Sequence, residues 1–319
     1  MDLSAEICGL KFDPPLCIES GIFSQPQILK KMAEYEVGGV IVKSTGMIPR
    51  TGNMEPVVAK VTEETMLNAM SLPNPGRIYL GKELEEIYPL PNGKKLGCSV
   101  VGETKEEFVE VAGYLSSYCD FEVLNVSCPN KKKGEKSGLI ARHADEVYDI
   151  THAVKEAVKK PVAVKLTPNV YDIGEIAKAA EEAGADFISG DNTISPGMVI
   201  DIYARRPVLS AKFGGISGRG IKGKAVADIY TIYESVKKPI MGGGGVGTAE
   251  DVIEFKEAGA DVIGLGSAMF CPNGRILSTE QVGERLKNLR LDLGRILQGE
   301  YFKDITSFNE LKGVAHYES

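Results

Sequence analysis

The chain has 319 residues, 43% of them hydrophobic and 25% charged, with a net charge of −7. This is close to the average for soluble globular proteins and excludes a disordered chain, a collagen and a disulfide miniprotein. The acidic balance argues against a nucleic-acid coat, so no nucleic-acid partner is expected.

No run approaches the ~18 consecutive apolar residues of a membrane span. The opening MDLSAEICGLKFDPP lacks a basic segment followed by an apolar one, so no secretory signal is expected. The six cysteines (Cys8, Cys17, Cys98, Cys119, Cys128, Cys271) form no CxxC pair and no zinc or iron–sulfur spacing. Most read as small buried residues in a reducing cytoplasm. His143, His152 and His316 stand at no metal-ligand spacing, so no metal is expected.

In chain order, LSAEICGLKF, closed by Pro14 and Pro15, reads as a hairpin plugging the floor of a barrel. Eight apolar runs then predict strands at 15–20, 38–44, 96–102, 121–127, 161–167, 186–192, 239–245 and 261–267. Their apolar character on both faces suits parallel strands covered by helices. EIAKAAEEAGAD at 175–186 predicts a helix stopped by Gly184, and TAEDVIEFKEAGAD at 248–261 predicts one capped by Thr248. Eight βα units favour an α/β fold of the (β/α)8 TIM-barrel type, with residues 1–319 as a single domain. Residues 45–95 and 193–221 break the alternation and read as long loop insertions at the C-terminal face, where barrels carry their sites.

Polar residues gather where the strands end: Ser20-Gly21, Lys43-Ser44, Ser99, Asn125 with Ser127 and Cys128, Lys165, Asn192-Thr193 and Gly266-Ser267. Two lysines inside apolar strands are costly unless something anionic meets them. GGGGVG at 242–247 matches GxGxxG, but it lies seventh in strand order and no ribose-binding acid ends the next strand. The better reading is a barrel phosphate site. Backbone N–H groups of Gly243, Gly244, Gly266 and Ser267 would cradle a dianion, with a short helix starting near Ala268. Gly214-Gly215 and Ser217-Gly218 would close over the same group. In NVSCPN at 125–130 the paired amides suit a planar ligand with alternating C=O and N–H groups. Cys128 is open to three readings, as a nucleophile, a general base or a structural thiol. Proton abstraction fits best, since no Cys–His arrangement follows. KKKGEK at 131–136 reads as a solvated loop and, following Cys128, as a candidate lid.

These residues resemble the dihydroorotate dehydrogenases, FMN-dependent (β/α)8 barrels of pyrimidine biosynthesis, across nearly the whole chain. The resemblance is carried by SG at 20–21, VKS at 42–44, NAMSLPN at 68–74, NVSCPN at 125–130 and VKLTPN at 164–169. It continues through DNT at 191–193, GGISG at 214–218, GGGGV at 242–246, GLGSAMF at 264–270 and ELKGVAH at 310–316. It implies the soluble class 1 enzymes, in which a cysteine, here Cys128, removes the proton from ring carbon 5 while carbon 6 gives a hydride to the flavin, leaving orotate. It implies that Asn68, Asn125, Asn130, Asn192 and Thr193 bind the ring. Backbone groups from Met70 through Ser71 to Leu72 would take the substrate carboxylate. Lys43 would lie near substrate and flavin, and Lys165 would face the isoalloxazine, where a cation stabilises the anionic reduced ring. Ser20, Gly21, Ser44 and Ser99 would line FMN. A homodimer is implied, and the 214–226 segment with ELKGVAH resembles the subclass that feeds a partner subunit carrying FAD and a 2Fe–2S cluster. The fumarate-using subclass, another FMN enzyme acting on a dihydropyrimidine-like ring, and a non-catalytic phosphate-binding barrel are the rival readings. The family usually has Gly where Ser71 stands, Ala where Glu19 stands and Asn where Ser99 stands.

Overall fold

A computed structural model describes residues 2–127, 140–271 and 275–316. Eight parallel strands close into a barrel: β1 (Leu16–Ile18), β2 (Gly39–Thr45), β3 (Lys95–Val100), β4 (Phe121–Asn125), β5 (Val162–Lys165), β6 (Phe187–Gly190), β7 (Ile240–Gly243) and β8 (Val262–Leu265). They follow one another in order around the ring, and β8 pairs with β1 through Ile263 opposite Leu16. A helix follows each strand: α1 (Pro26–Met32), α2 (Arg77–Glu85), α3 (Lys105–Leu115), α4 (Ala144–Ala157), α5 (Ile173–Glu182), α6 (Lys222–Ser235), α7 (Ala249–Glu257) and α8 (Thr279–Leu297). The expected (β/α)8 architecture is therefore present, with every strand but β2 shorter than its apolar run suggested.

Local chemistry sets the helix ends. Thr248 caps α7 in a capping box with Asp251, and Asp172 caps α5 by accepting from the N–H groups of Gly174 and Glu175. Gly184 leaves α5 at φ +93°, the left-handed conformation that ends many helices.

Alternation along each strand divides its residues between two cores. Leu16, Ile18, Val40, Val42, Leu124, Val164 and Ile263 face outward under the helices. Cys17, Ile41, Phe121, Val123, Ala163, Phe187, Met241 and Val262 face inward. The hairpin Ala5–Ile7/Leu10–Phe12 adds Ala5, Ile7 and Phe12 to this inner core, as a floor plug should. Its turn, Cys8-Gly9, has both residues at positive φ (52° and 77°), the type I′ geometry that two-residue hairpins favour. Phe12, Phe121 and Phe187 pack edge to face across the floor.

The two stretches read as loop insertions are more ordered than that. Residues 45–95 contain α2 as well as the strands Val58–Lys60 and Thr65–Asn68. Residues 193–221 contain Ile194–Gly197 and Gly214–Gly218. The four strands form one antiparallel sheet, joined where Gly215 faces Asn68 and Gly218 faces Thr65. Two segments far apart in sequence thus build a single structure beside the C-terminal ends of the barrel strands.

Candidate active site

One step of two residues up each strand from the inner core changes the chemistry. Glu19 follows Cys17, Lys43 follows Ile41, Ser99 follows Gly97, Asn125 follows Val123 and Lys165 follows Ala163. Because side chains repeat every second residue, all of these point into the barrel mouth.

They connect to one another. Ser44 and Ser99 hydroxyls lie 2.8 Å apart, and Asn125 Nδ2 donates to Ser44 Oγ at 3.0 Å. Asn192 Nδ2 approaches Asn125 Oδ1 at 3.5 Å, while Asn192 Oδ1 accepts from the Thr193 N–H at 2.8 Å. A Cβ on Gly215 would strike the Thr193 side chain, and Asn68 Nδ2 reaches the Gly215 carbonyl at 3.5 Å. Hydrogen bonds therefore run from Ser99 through Ser44, Asn125 and Asn192 to Thr193, and Gly215 packs between Thr193 and Asn68. Gly215, grouped from sequence with the phosphate glycines, thus sits at the end of this chain.

Asn169 ties the mouth together from outside the expected set. Its Nδ2 donates to Thr167 Oγ1 at 2.8 Å and to the Thr193 carbonyl at 2.9 Å, and its Oδ1 accepts from the Ser195 N–H at 2.7 Å. Asn74 plays the same part for NAMSLPN. It is buried, its Oδ1 accepts from the N–H groups of Gly46 and Gly76, and its Nδ2 donates to the Leu72 carbonyl. Met70 fixes the loop through its carbonyl, which accepts from the Asn53 N–H. Ser71 and Leu72 both have left-handed backbones, at φ 59° and 54°. That conformation accounts physically for a glycine preference at position 71.

The two lysines have different surroundings. Lys165 is buried and its Nζ lies 2.5 Å from Glu19 Oε2. Lys43 is half-buried near Gly21, whose hypothetical Cβ would lie 3.9 Å from Nζ. Among the described residues no side chain forms an ion pair with Lys43, and desolvation lowers its pKa. An amine in that position suits a carbonyl-rich or anionic ligand. Ser20 lies between Glu19 and Gly21 at the end of β1.

The glycine run forms a close backbone cradle. A Cβ on Gly243 would come within 2.6 Å of the Gly264 carbonyl, on Gly244 within 2.5 Å of Ala225 Cβ, and on Gly245 within 2.6 Å of the Gly218 carbonyl. Gly266 borders open space, and the short helix after it is a single 3-10 turn, Ser267–Met269. Gly218 thus meets the cradle, with Ser217 beside it paired to Met66. Behind Gly244, burial and then the neighbouring Asp228 carboxyl raise the pKa of Asp191 well above the usual carboxylate range. The residues present therefore fit a phosphate-bearing flavin: exposed backbone at one end, and hydroxyl, amide and amine groups at the other.

Cys128, Asn130 and the expected lid at 131–137 lie outside the described residues. Of the remaining cysteines, Cys17, Cys98 and Cys119 are buried, Cys8 is exposed and Cys271 is partly buried. Among the described residues no group of three His, Cys, Asp or Glu side chains could hold a metal, and no helix is long and apolar enough to cross a membrane.

The sequence model of the dihydroorotate dehydrogenase family matches residues 2–289. The catalytic subunit of dihydroorotate dehydrogenase B (NAD(+)) from Methanocaldococcus jannaschii is 41% identical over 271 residues, covering 84% of this chain and 87% of that protein. The subunit of the same name from Methanothermobacter thermautotrophicus is 39% identical over 315 residues, 98% of each chain. The one from a Geobacillus species is 41% identical over 282 residues, covering 85% of this chain and 88% of that protein.

Proposed function

Since the chain belongs to the dihydroorotate dehydrogenase family, we propose that it oxidises dihydroorotate to orotate in pyrimidine biosynthesis, with FMN as its flavin. The observation that carries this is the hydrogen-bonded chain from Ser99 to Thr193, with Gly215 and Asn68 packed at its end, set beside two lysines and a glycine cradle at one barrel mouth.

In this reading Asn68, Asn125, Asn130 and Asn192 hold the ring by pairing amides with its alternating donors and acceptors, with Thr193 bracing Asn192. Backbone groups from Met70 to Leu72 take the carboxylate. Cys128, three residues beyond Asn125, removes the ring carbon 5 proton. A free thiol titrates near ~8.5, so the site must favour the thiolate to be effective at neutral pH. When bound, the flavin accepts the hydride that leaves ring carbon 6. Gly243, Gly244, Gly266 and Ser267, closed by Ser217 and Gly218, hold its phosphate. Ser20, Gly21, Ser44, Ser99 and Gly215 line it, Lys43 supplies positive charge, and Lys165, paired with Glu19, faces its ring.

The relatives' names say catalytic subunit and NAD(+). We extend both to this chain: a homodimer working with an electron-transfer subunit that carries FAD and a 2Fe–2S cluster. We also read residues 1–319 as one FMN-binding domain acting in the cytoplasm.

Stopped-flow spectroscopy tests this reading. Dihydroorotate should bleach the bound flavin, and Cys128→Ala should slow the bleaching by roughly 10²–10⁴-fold. Orotate binding should survive, because the amides hold the ring. Wild-type protein whose flavin dihydroorotate does not reduce would overturn the proposal.

A further inference from the structure

The ion pair between Glu19 and Lys165 has an unusual position. Glu19 follows the last residue of β1 and Lys165 is the last residue of β5, four strands away in an eight-stranded ring. The two side chains therefore meet across the barrel. Both are nearly closed to solvent, with the lysine side chain 8% exposed and the glutamate 11%. They stand one inward step above Cys17 and Ala163 of the apolar inner core. The pair forms the boundary between that core and the polar mouth.

Room for the carboxylate is built into β8. A Cβ on Gly264 would lie 2.5 Å from Glu19 Oε1, so a larger residue there would displace the glutamate. One carboxylate oxygen binds Lys165 and the other lies over Gly264.

We propose that Glu19 is a positioning residue that holds Lys165 in place beneath the flavin and neutralises it, making the reduced flavin a stronger electron donor than a lone lysine would allow. This rests on the reading that Lys165 faces the flavin ring. A hydride brings two electrons and one proton, so the ring gains one negative charge on reduction. An unpaired cation beside it would favour that state; a cation already matched by a carboxylate favours it less. Glu19 thus sets how readily the electrons leave for the next acceptor. A purely structural ion pair would fix the strand ends without tying the flavin's redox equilibrium to the glutamate's charge.

The test is equilibrium redox titration of the bound flavin against a reference dye, in holoenzyme carrying Glu19→Gln, Lys165→Met, or both. Glu19→Gln should raise the ratio of reduced to oxidised flavin at a fixed potential by on the order of tenfold, about 30 mV for a two-electron couple. Lys165→Met should lower it. The double variant carries no buried charge and reads the same carboxylate again, since its potential should lie above that of Lys165→Met even if Glu19→Gln alone fails to fold. A Lys165→Met shift with no effect of Glu19→Gln in either background overturns the role of Glu19 and leaves the site reading intact. No shift in any variant overturns both.

Discussion

The floor and the mouth of this barrel are made from the same eight strands, yet they share almost no chemistry. Phe121 and Val123 of β4 lie in the sealed inner core with Phe12 of the hairpin, while Asn125, at the next inward position, joins the polar chain. On β5 the change runs from Ala163 to Lys165, and on β1 from Cys17 to Glu19. A rise of about 6.6 Å, two residues of strand, separates a region whose purpose is cohesion from one whose purpose is binding. The contrast teaches that in a closed barrel stability and chemistry are assigned by height along the strand. Substitutions at adjacent inward positions should therefore fail in different ways.

The largest effect belongs to the floor. Phe121→Ala removes a ring packed against both Phe12 and Phe187 and should cost about 3–5 kcal/mol, read as a fall in the denaturant midpoint. An unchanged midpoint would mean that the floor is not the cohesive layer.

At the mouth, Gly266→Asp has open space for its side chain and should leave the fold intact while placing a charge beside the proposed phosphate. Like-charge contact costs several kcal/mol, so flavin affinity should fall by at least ~10²-fold. Gly243 is the poorer probe, because any side chain there strikes the Gly264 backbone. Folded Gly266→Asp protein that keeps stoichiometric flavin would move the cradle elsewhere.

A third test separates inward from outward. Glu122 lies between Phe121 and Val123 but on the opposite face of β4, fully buried, with neither carboxylate oxygen hydrogen-bonded among the described residues. Burial pushes its pKa from 4.5 to about 10. The folded state holds the proton more tightly than the unfolded state. Stability should thus be greatest below the unfolded value and fall as pH rises through about 10, by roughly 1 kcal/mol per pH unit. Glu122→Gln should flatten that slope in chemical denaturation between pH 6 and 9. A slope unchanged by the substitution would assign it to other groups.

The smallest effect concerns Ser71. Its left-handed backbone should make Ser71→Gly neutral or stabilising by up to about 1 kcal/mol, with little change in dihydroorotate turnover. A marked rise in turnover would show instead that the serine side chain crowds the substrate.

The contrast also explains what could be read from the sequence. The eight strands, the capped helices and the floor hairpin were legible because each is specified within a dozen residues, as by Thr248 and the Cys8-Gly9 turn. The cradle glycines stood out as a run. The sheet formed by residues 58–68 and 194–218 was not legible, because pairing Met66 with Ser217 leaves no local trace. Glu19 was visible as a departure from the family pattern, but its partner lies 146 residues away and on the far side of the ring. Asn74 and Asn169 lie in the NAMSLPN and VKLTPN motifs, but their bonds to the Leu72 and Thr193 carbonyls join backbone that the motifs alone do not place.

The pairing of Ile263 with Leu16 has a consequence for the order in which the molecule can be made. The floor hairpin leaves the ribosome well before β8 does, and its two-residue turn lets it form within microseconds. Its apolar face, however, belongs in a core completed by Val262 of the last strand. At about 5–20 residues per second, synthesis needs more than ten seconds to supply that strand. Throughout that interval Ile7 and Phe12 have only a partly built ring to cover them. The nascent chain is then most open to mispairing and to capture by chaperones, and closure of the ring ends that exposure in one step.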